Sequence, residues 1–131
     1  TPFEHRSFGE ELALCQRYFY VHADGGVSSE HHVGTAANYA STAIYMTIEP
    51  KTVMRARPTL EQTTGTDYYR AFSTTIGGNS DYFDEFIIGT SASSTNVFEI
   101  KGQTNISVTA GEATFIRLAN SSAKIHFDAE L

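Results

Sequence analysis

The run Glu11-Leu12-Ala13-Leu14-Cys15-Gln16-Arg17-Tyr18-Phe19-Tyr20 constrains this chain most, because its hydrophobic spacing passes from helical to strand-like just ahead of a long stretch without helical pattern. That order predicts one short helix leading into a β-rich body. The helix has a physical start. Ser7 can accept a bond from a first-turn amide while Glu10 reaches back to the Ser7 amide, so Ser7-Phe8-Gly9-Glu10 reads as a capping box. Glu10 and Glu11 also place negative charge where the helix amides point outward. Phe8, Leu12, Cys15 and Phe19 then recur on one side, widened by Leu14 and Tyr18. A helix of about a dozen residues is marginal alone in water, so this stripe needs a cover, either a sheet or a second chain. Phe8, Leu12, Cys15 and Phe19 are therefore the candidate oligomer-packing residues.

Beyond the helix, Tyr18 to His22 can extend as a first strand that ends at Asp24-Gly25-Gly26. Ser28 to Asn38 is polar, punctuated by glycine and without periodicity, which predicts a long surface loop. From Tyr39 the spacing becomes two: Ile44, Met46 and Ile48 fall on one side and Tyr45 and Thr47 on the other, until Pro50 stops the strand. Val53-Met54 begins a short segment closed by Pro58, and Thr59 to Thr63 extends beyond it. Tyr68 to Ile76 reads as a strand broken by Gly77-Gly78-Asn79-Ser80, and Tyr82 to Ile88 as the next, with Asp84 and Glu85 marking an exposed side or edge. Gly89 to Asn96 is a connection. Val97 to Ile100, Asn105 to Thr109, Ala113 to Ala119 and Lys124 to Asp128 make four further strands, the last with Ile125 and Phe127 opposite Lys124, His126 and Asp128. Turn signals every eight to twelve residues describe an all-β fold, an antiparallel β-sandwich or jelly roll with a short N-terminal α-helix. The expected division is a linker and packing helix over 1–20 and a β-sandwich domain over 21–131.

A chain of 131 residues can bury roughly two thirds of the surface it exposes when unfolded, enough for one core without disulfides or metals. Nine Lys and Arg against fifteen Asp and Glu give a formal charge of −6, and the only basic cluster is Arg55-Ala56-Arg57, so no phosphate-backbone partner is expected. No apolar stretch approaches the twenty residues or so of a membrane span. Thr1-Pro2-Phe3-Glu4 is unlike a signal peptide, and the absence of an initiating Met suggests a fragment or processed product. Cys15, the only cysteine, lies on the apolar stripe, where a small hydrophobe fits better than a nucleophile.

Candidate chemistry is sparse. Adjacent His31 and His32 point apart in an extended segment, and a zinc centre wants four ligands. His126 shares a strand face with Asp128 but has no nucleophile elbow to serve, and no phosphate loop or HExxH helix occurs. Asp81, Asp84 and Glu85 cluster around Tyr82 and Phe83. Two carboxylates flanking one bond could cleave a glycan, yet sequence proximity does not set their separation, and an exposed strand edge accounts for them. Asn105-Ile106-Ser107 and Asn120-Ser121-Ser122 match the glycosylation spacing but read as turn and strand polar groups. Seven Tyr and nine Phe without Trp supply aromatic faces able to stack on sugars, with Tyr68, Tyr69 and Tyr82 the candidate glycan contacts beside their ordinary packing role. No catalytic residue, cofactor or metal site is assigned, and no enzyme activity is expected.

Three parts of the chain carry a family likeness: Thr1-Pro2-Phe3-Glu4-His5-Arg6-Ser7-Phe8-Gly9-Glu10-Glu11-Leu12 with Leu14-Cys15-Gln16-Arg17-Tyr18-Phe19; Met54-Arg55-Ala56 with Pro58-Thr59; and Ile125-His126-Phe127-Asp128-Ala129-Glu130-Leu131. Together they resemble a C-terminal region recurring in tail and other structural proteins of tailed bacteriophages. The resemblance implies a structural module on the tail or capsid exterior of a virion, set after another β-rich domain that Pro2-Phe3-Glu4 would close. It further implies self-association, with a homotrimer preferred, and contact with other virion proteins; it does not by itself imply a receptor, and contact of the loops with a bacterial surface glycan is the first functional hypothesis built on it. Two alternatives keep the same fold: a capsid-associated decoration or assembly protein without receptor binding, and a glycan-depolymerising spike component.

Overall fold

The computed structural model describes residues 6–26, 30–73 and 80–130. One helix, α1 (Phe8–Gln16), precedes ten strands: β1 (Phe19–Asp24), β2 (His32–Ala40), β3 (Ala43–Ile48), β4 (Thr59–Thr63), β5 (Tyr69–Ser73), β6 (Ser80–Phe83), β7 (Phe86–Ile88), β8 (Phe98–Gly102), β9 (Ala113–Leu118) and β10 (Lys124–Asp128). They form a three-stranded sheet in the order β1-β10-β4 and a seven-stranded sheet in the order β6-β5-β9-β2-β3-β8-β7, with every pairing antiparallel. The fold is thus mostly antiparallel β-structure with one short helix. β1 crosses the expected boundary at residue 20 and pairs with β10, so the first strand belongs to the β-body.

Both sheets send side chains into one hydrophobic cluster. Ile125 and Phe127 of β10 and Tyr20 of β1 meet Ile44, Met46 and Ile48 of β3, Phe98 and Ile100 of β8, and Ile116 and Leu118 of β9. Strand alternation produces this directly: in β10 the residues Ile125 and Phe127 are fully buried while Lys124, His126 and Asp128 face outward. Phe98 and Phe127, from different sheets, bring their ring centroids to 4.7 Å. Burying Tyr20, Ile125 and Phe127 of the small sheet against the larger set from the seven-stranded sheet, at about 1.5 to 3 kcal/mol apiece, is the main driving force that opposes chain entropy here.

The seven-stranded sheet is strongly curled. β6 and β7 sit at its opposite edges, yet Phe83 and Phe86 pack edge to face at 5.0 Å. A Cβ added to Gly102 in β8 would lie 2.8 Å from the Phe83 ring and 2.9 Å from Ile44, so glycine is what lets the far edge fold over β8. A side-chain amide joins the sheets. Gln62 of β4 donates from Nε2 to the Phe86 carbonyl at 2.6 Å and accepts from the Phe86 amide at 3.0 Å.

Four expectations are corrected. The loop expected over Ser28 to Asn38 is confined, among the described residues, to Glu30-His31: His32 to Asn38 lies in β2, in the middle of the large sheet. Register shifts at His32/Gly34 and Asn38/Ala40 break the period of two, so Val33, Ala36 and Asn38 are buried at unequal spacing. Tyr82 to Ile88 is two strands rather than one, because Asp84-Glu85 carries the chain from one sheet edge to the other. Asn105 to Thr109 forms no strand. Asn105 has φ 61°, and this segment is held by single bonds such as Val108 N–H to the Ser41 carbonyl at 2.8 Å. Tyr69 is a core residue, 0% exposed, against Phe83 and Phe86. Residues 74–76 of the expected fifth strand, residues 77–79 of its reversal, Ser28 and Ser29, Thr1 to His5 and Leu131 lie outside the described residues.

Candidate functional site

Helix α1 starts as its sequence dictates. Ser7 has extended backbone, its hydroxyl accepts from the Glu10 amide at 3.3 Å, and Glu10 Oε2 accepts from the Ser7 amide at 2.8 Å. Those bonds favour the charged form and hold the Glu10 carboxyl below its ordinary range. The side of the helix that meets the body is not the apolar stripe. Ala13, Leu14 and Gln16 are half-buried, with Gln16 accepting from Thr52 Oγ1 at 3.3 Å and the Arg17 carbonyl accepting from the Arg55 amide at 2.7 Å. Phe8 is 82% exposed and Leu12 44%, Cys15 is exposed, and Phe19 at 38% lies edge-on to His126. The exposed set continues into β1 at Val21.

The three clustered acids are spent on holding loops. Asp81 Oδ2 accepts from the Ser107 amide, Asp84 Oδ1 accepts from the Asp67 amide at 2.9 Å, and Glu85 Oε1 accepts from Thr104 Oγ1 at 2.9 Å. Asp67, at φ 58°, uses its bond to fix a left-handed turn. Each carboxylate therefore addresses a different segment, and the three do not converge on one bond. Asp81 is one wall of an open depression of about 580 Å³ and mixed polar and apolar surface, lined also by Thr42, Asp67, Tyr82, Gln103, Asn105 and Ser107 among others. Tyr82 is the expected glycan contact with an exposed ring. Tyr68 is half-buried against the core, and with Tyr69 inside it the three tyrosines share no surface.

His31 and His32 separate as expected for neighbours in an extended chain. The His31 ring bonds the Asp24 carbonyl through Nδ1 at 3.1 Å, and His32 sits edge-on to Phe115 at 6.1 Å. Among the described residues no group of three or more His, Cys, Asp or Glu could hold a metal ion, and no helix is long and apolar enough to cross a membrane.

A second cluster was hidden from sequence reasoning. The strand registers set Tyr82 of β6, Arg70 of β5, Arg117 of β9 and His32 of β2 side by side across the outer face of the large sheet. Beside them the row Ser80, Phe72, Phe115 and Thr35 repeats the same order of strands. The Arg70 guanidinium lies 4.1 Å from the Phe72 centroid and 5.1 Å from that of Tyr82, and Arg117 lies 4.7 Å from Phe72. Glu30 approaches both, at 3.9 Å from Arg70 and 3.4 Å from Arg117. The only sequence signal is an outward-facing Arg in each of two strands, and it acquires meaning only once the pairing is known.

Comparison with family models, curated proteins and solved structures finds no match to this chain.

Proposed function

We propose that the chain is a non-enzymatic structural module that assembles with copies of itself, in the manner of a virion tail-fibre or attachment component, and meets host surface glycans through its β-body. The carrying observation is the set of exposed apolar residues Phe8, Leu12 and Cys15 on α1 and Phe19 and Val21 on β1, the strand that follows it. A patch of this kind on a small domain marks a contact surface. A second copy is its occupant, since the resemblance of Thr1 to Leu12 and Leu14 to Phe19 to phage structural proteins points to an assembly of repeated chains, with a homotrimer as the preferred number. Neighbouring virion proteins would then meet the outer parts of the assembly.

The rigid body needed for that role is an antiparallel sandwich of jelly-roll type. Supporting it are the single cluster shared by both sheets, the curl that brings Phe83 over Gly102, and the Gln62 amide on Phe86. The non-enzymatic assignment is favoured by the separate tasks of Asp81, Asp84 and Glu85.

Sedimentation equilibrium tests the assembly. A mass near three times 14.4 kDa is expected, with Leu12→Glu shifting it toward the single chain while the circular dichroism of the β-body stays unchanged. A stable monomer for the unsubstituted chain overturns the self-association.

A further inference from the structure

We propose that the Tyr82-Arg70-Arg117-His32 row is a binding site for a carboxylate-bearing saccharide. This inference rests on the glycan-contact part of the proposed function and supplies both its location and its ligand class. Two arginines stand directly opposite each other on paired strands, Arg70 across from Arg117. Like charges so placed cost stability, and a sheet face selected only for folding would set opposite charges there. Glu30 is the carboxylate bound to both, so the pair of guanidiniums keeps a net positive character on a chain whose formal charge is −6.

The forks are held in place by aromatic rings more than by hydrogen bonds. Phe72 lies beneath both guanidiniums, and the Nε–H groups of Arg70 and Arg117 are covered without a hydrogen-bond partner. Arg70 is steered further by a 2.9 Å bond from Nη2 to Ser80 Oγ. Such preset planar forks match a carboxylate in two-point fashion. Exposed rings flank them on both sides, Tyr82 at 40% and Phe115 at 45%. The C–H face of a sugar can lie on either ring while its carboxylate reaches the forks, and Tyr82 also borders the depression that holds Gln103 and Asn105, where hydroxyls of an adjoining sugar find partners. A peptide is the poorer occupant. The main-chain groups of β5 and β9, flanked on both sides, are engaged in ladder bonds, leaving none there for strand addition.

The test is affinity electrophoresis of the intact chain in gels containing polygalacturonate, with neutral dextran and dextran sulfate as parallel matrices. Retardation is expected on polygalacturonate and not on dextran. Arg117→Gln should weaken it at least tenfold, and Arg117→Lys should recover little of it because an ammonium lacks the fork. Glu30→Gln, which removes the internal competitor for the same N–H groups, should strengthen binding severalfold, a response that a purely structural ion pair would not give. Thermal melts of each variant separate lost binding from lost fold. No retardation of the unsubstituted chain, equal retardation of Arg117→Gln, or stronger retention on dextran sulfate than on polygalacturonate overturns the assignment. Solution mass measured on the same samples reports self-association independently, so loss of binding at unchanged mass strikes the glycan contact proposed here and leaves the assembly reading standing.

Discussion

Helix α1 and strand β10 each carry a regular apolar spacing, but their fates differ. In β10, Ile125 and Phe127 reach 0% exposure because β1 and β4 flank the strand and the large sheet covers its inner face. In α1 no residue is buried, and the stripe Phe8, Leu12, Cys15 faces outward while the adjoining side rests on residues 52–55. Periodicity tells which side of an element is apolar. It does not tell whether the same chain provides the cover.

That contrast predicts a graded set of responses. Phe127→Ala empties a site shared by both sheets, where Phe98 and Tyr20 pack on the ring, and should cost about 3 to 5 kcal/mol in a urea titration. A loss under 1 kcal/mol would place β10 with α1 as a peripheral element. Ser7→Ala removes a cap that satisfies one end of the helix, worth about 1 kcal/mol of helix stability. Because α1 contributes no buried residue, the loss should show as reduced helical dichroism with the main melting transition nearly unmoved. A coupled fall of both would mean that the helix and the sheets unfold as one unit.

The smallest expected effect concerns the seam between the sheets. His22 of β1 donates from Nε2 to the Val33 carbonyl of β2 at 2.8 Å, while its Nδ1 is covered and without a partner. Burial lowers its pKa, with the Val33 bond opposing in part. A depressed value means that the folded state binds the proton less well than the unfolded chain. Stability should therefore hold above pH 6.5, the ordinary value, and decline as pH falls below it until the folded imidazole itself protonates. Melting temperature measured between pH 7.5 and 5 checks this, with His22→Gln flattening the slope.

Much of the architecture could be read from local spacing. The Ser7 and Glu10 cap, the alternation of Ile44, Met46 and Ile48, and that of Ile125 and Phe127 all appear where residue order places them. What escaped has a non-local cause. Bulges at both ends of β2 shifted its buried positions out of phase, and the division between β6 and β7 depends on a curl enforced by Phe83, Phe86 and Gly102. The candidate site was less legible still. Arg70 and Arg117 are forty-odd positions apart in the chain and become neighbours only through the β5 and β9 register, while Tyr69, indistinguishable from Tyr82 by composition, belongs to the core.

The Gln62 amide has one more consequence. By donating to the carbonyl and accepting from the amide of the same residue, Phe86, it imitates a neighbouring strand with a side chain in place of a backbone. A carboxylate at that position would face the Phe86 carbonyl oxygen with no proton to offer, and a shorter side chain would leave both groups bare. Two atoms of one residue thereby occupy the Phe86 amide and carbonyl on the free margin of β7, so at that residue the edge of the large sheet is closed to a foreign strand.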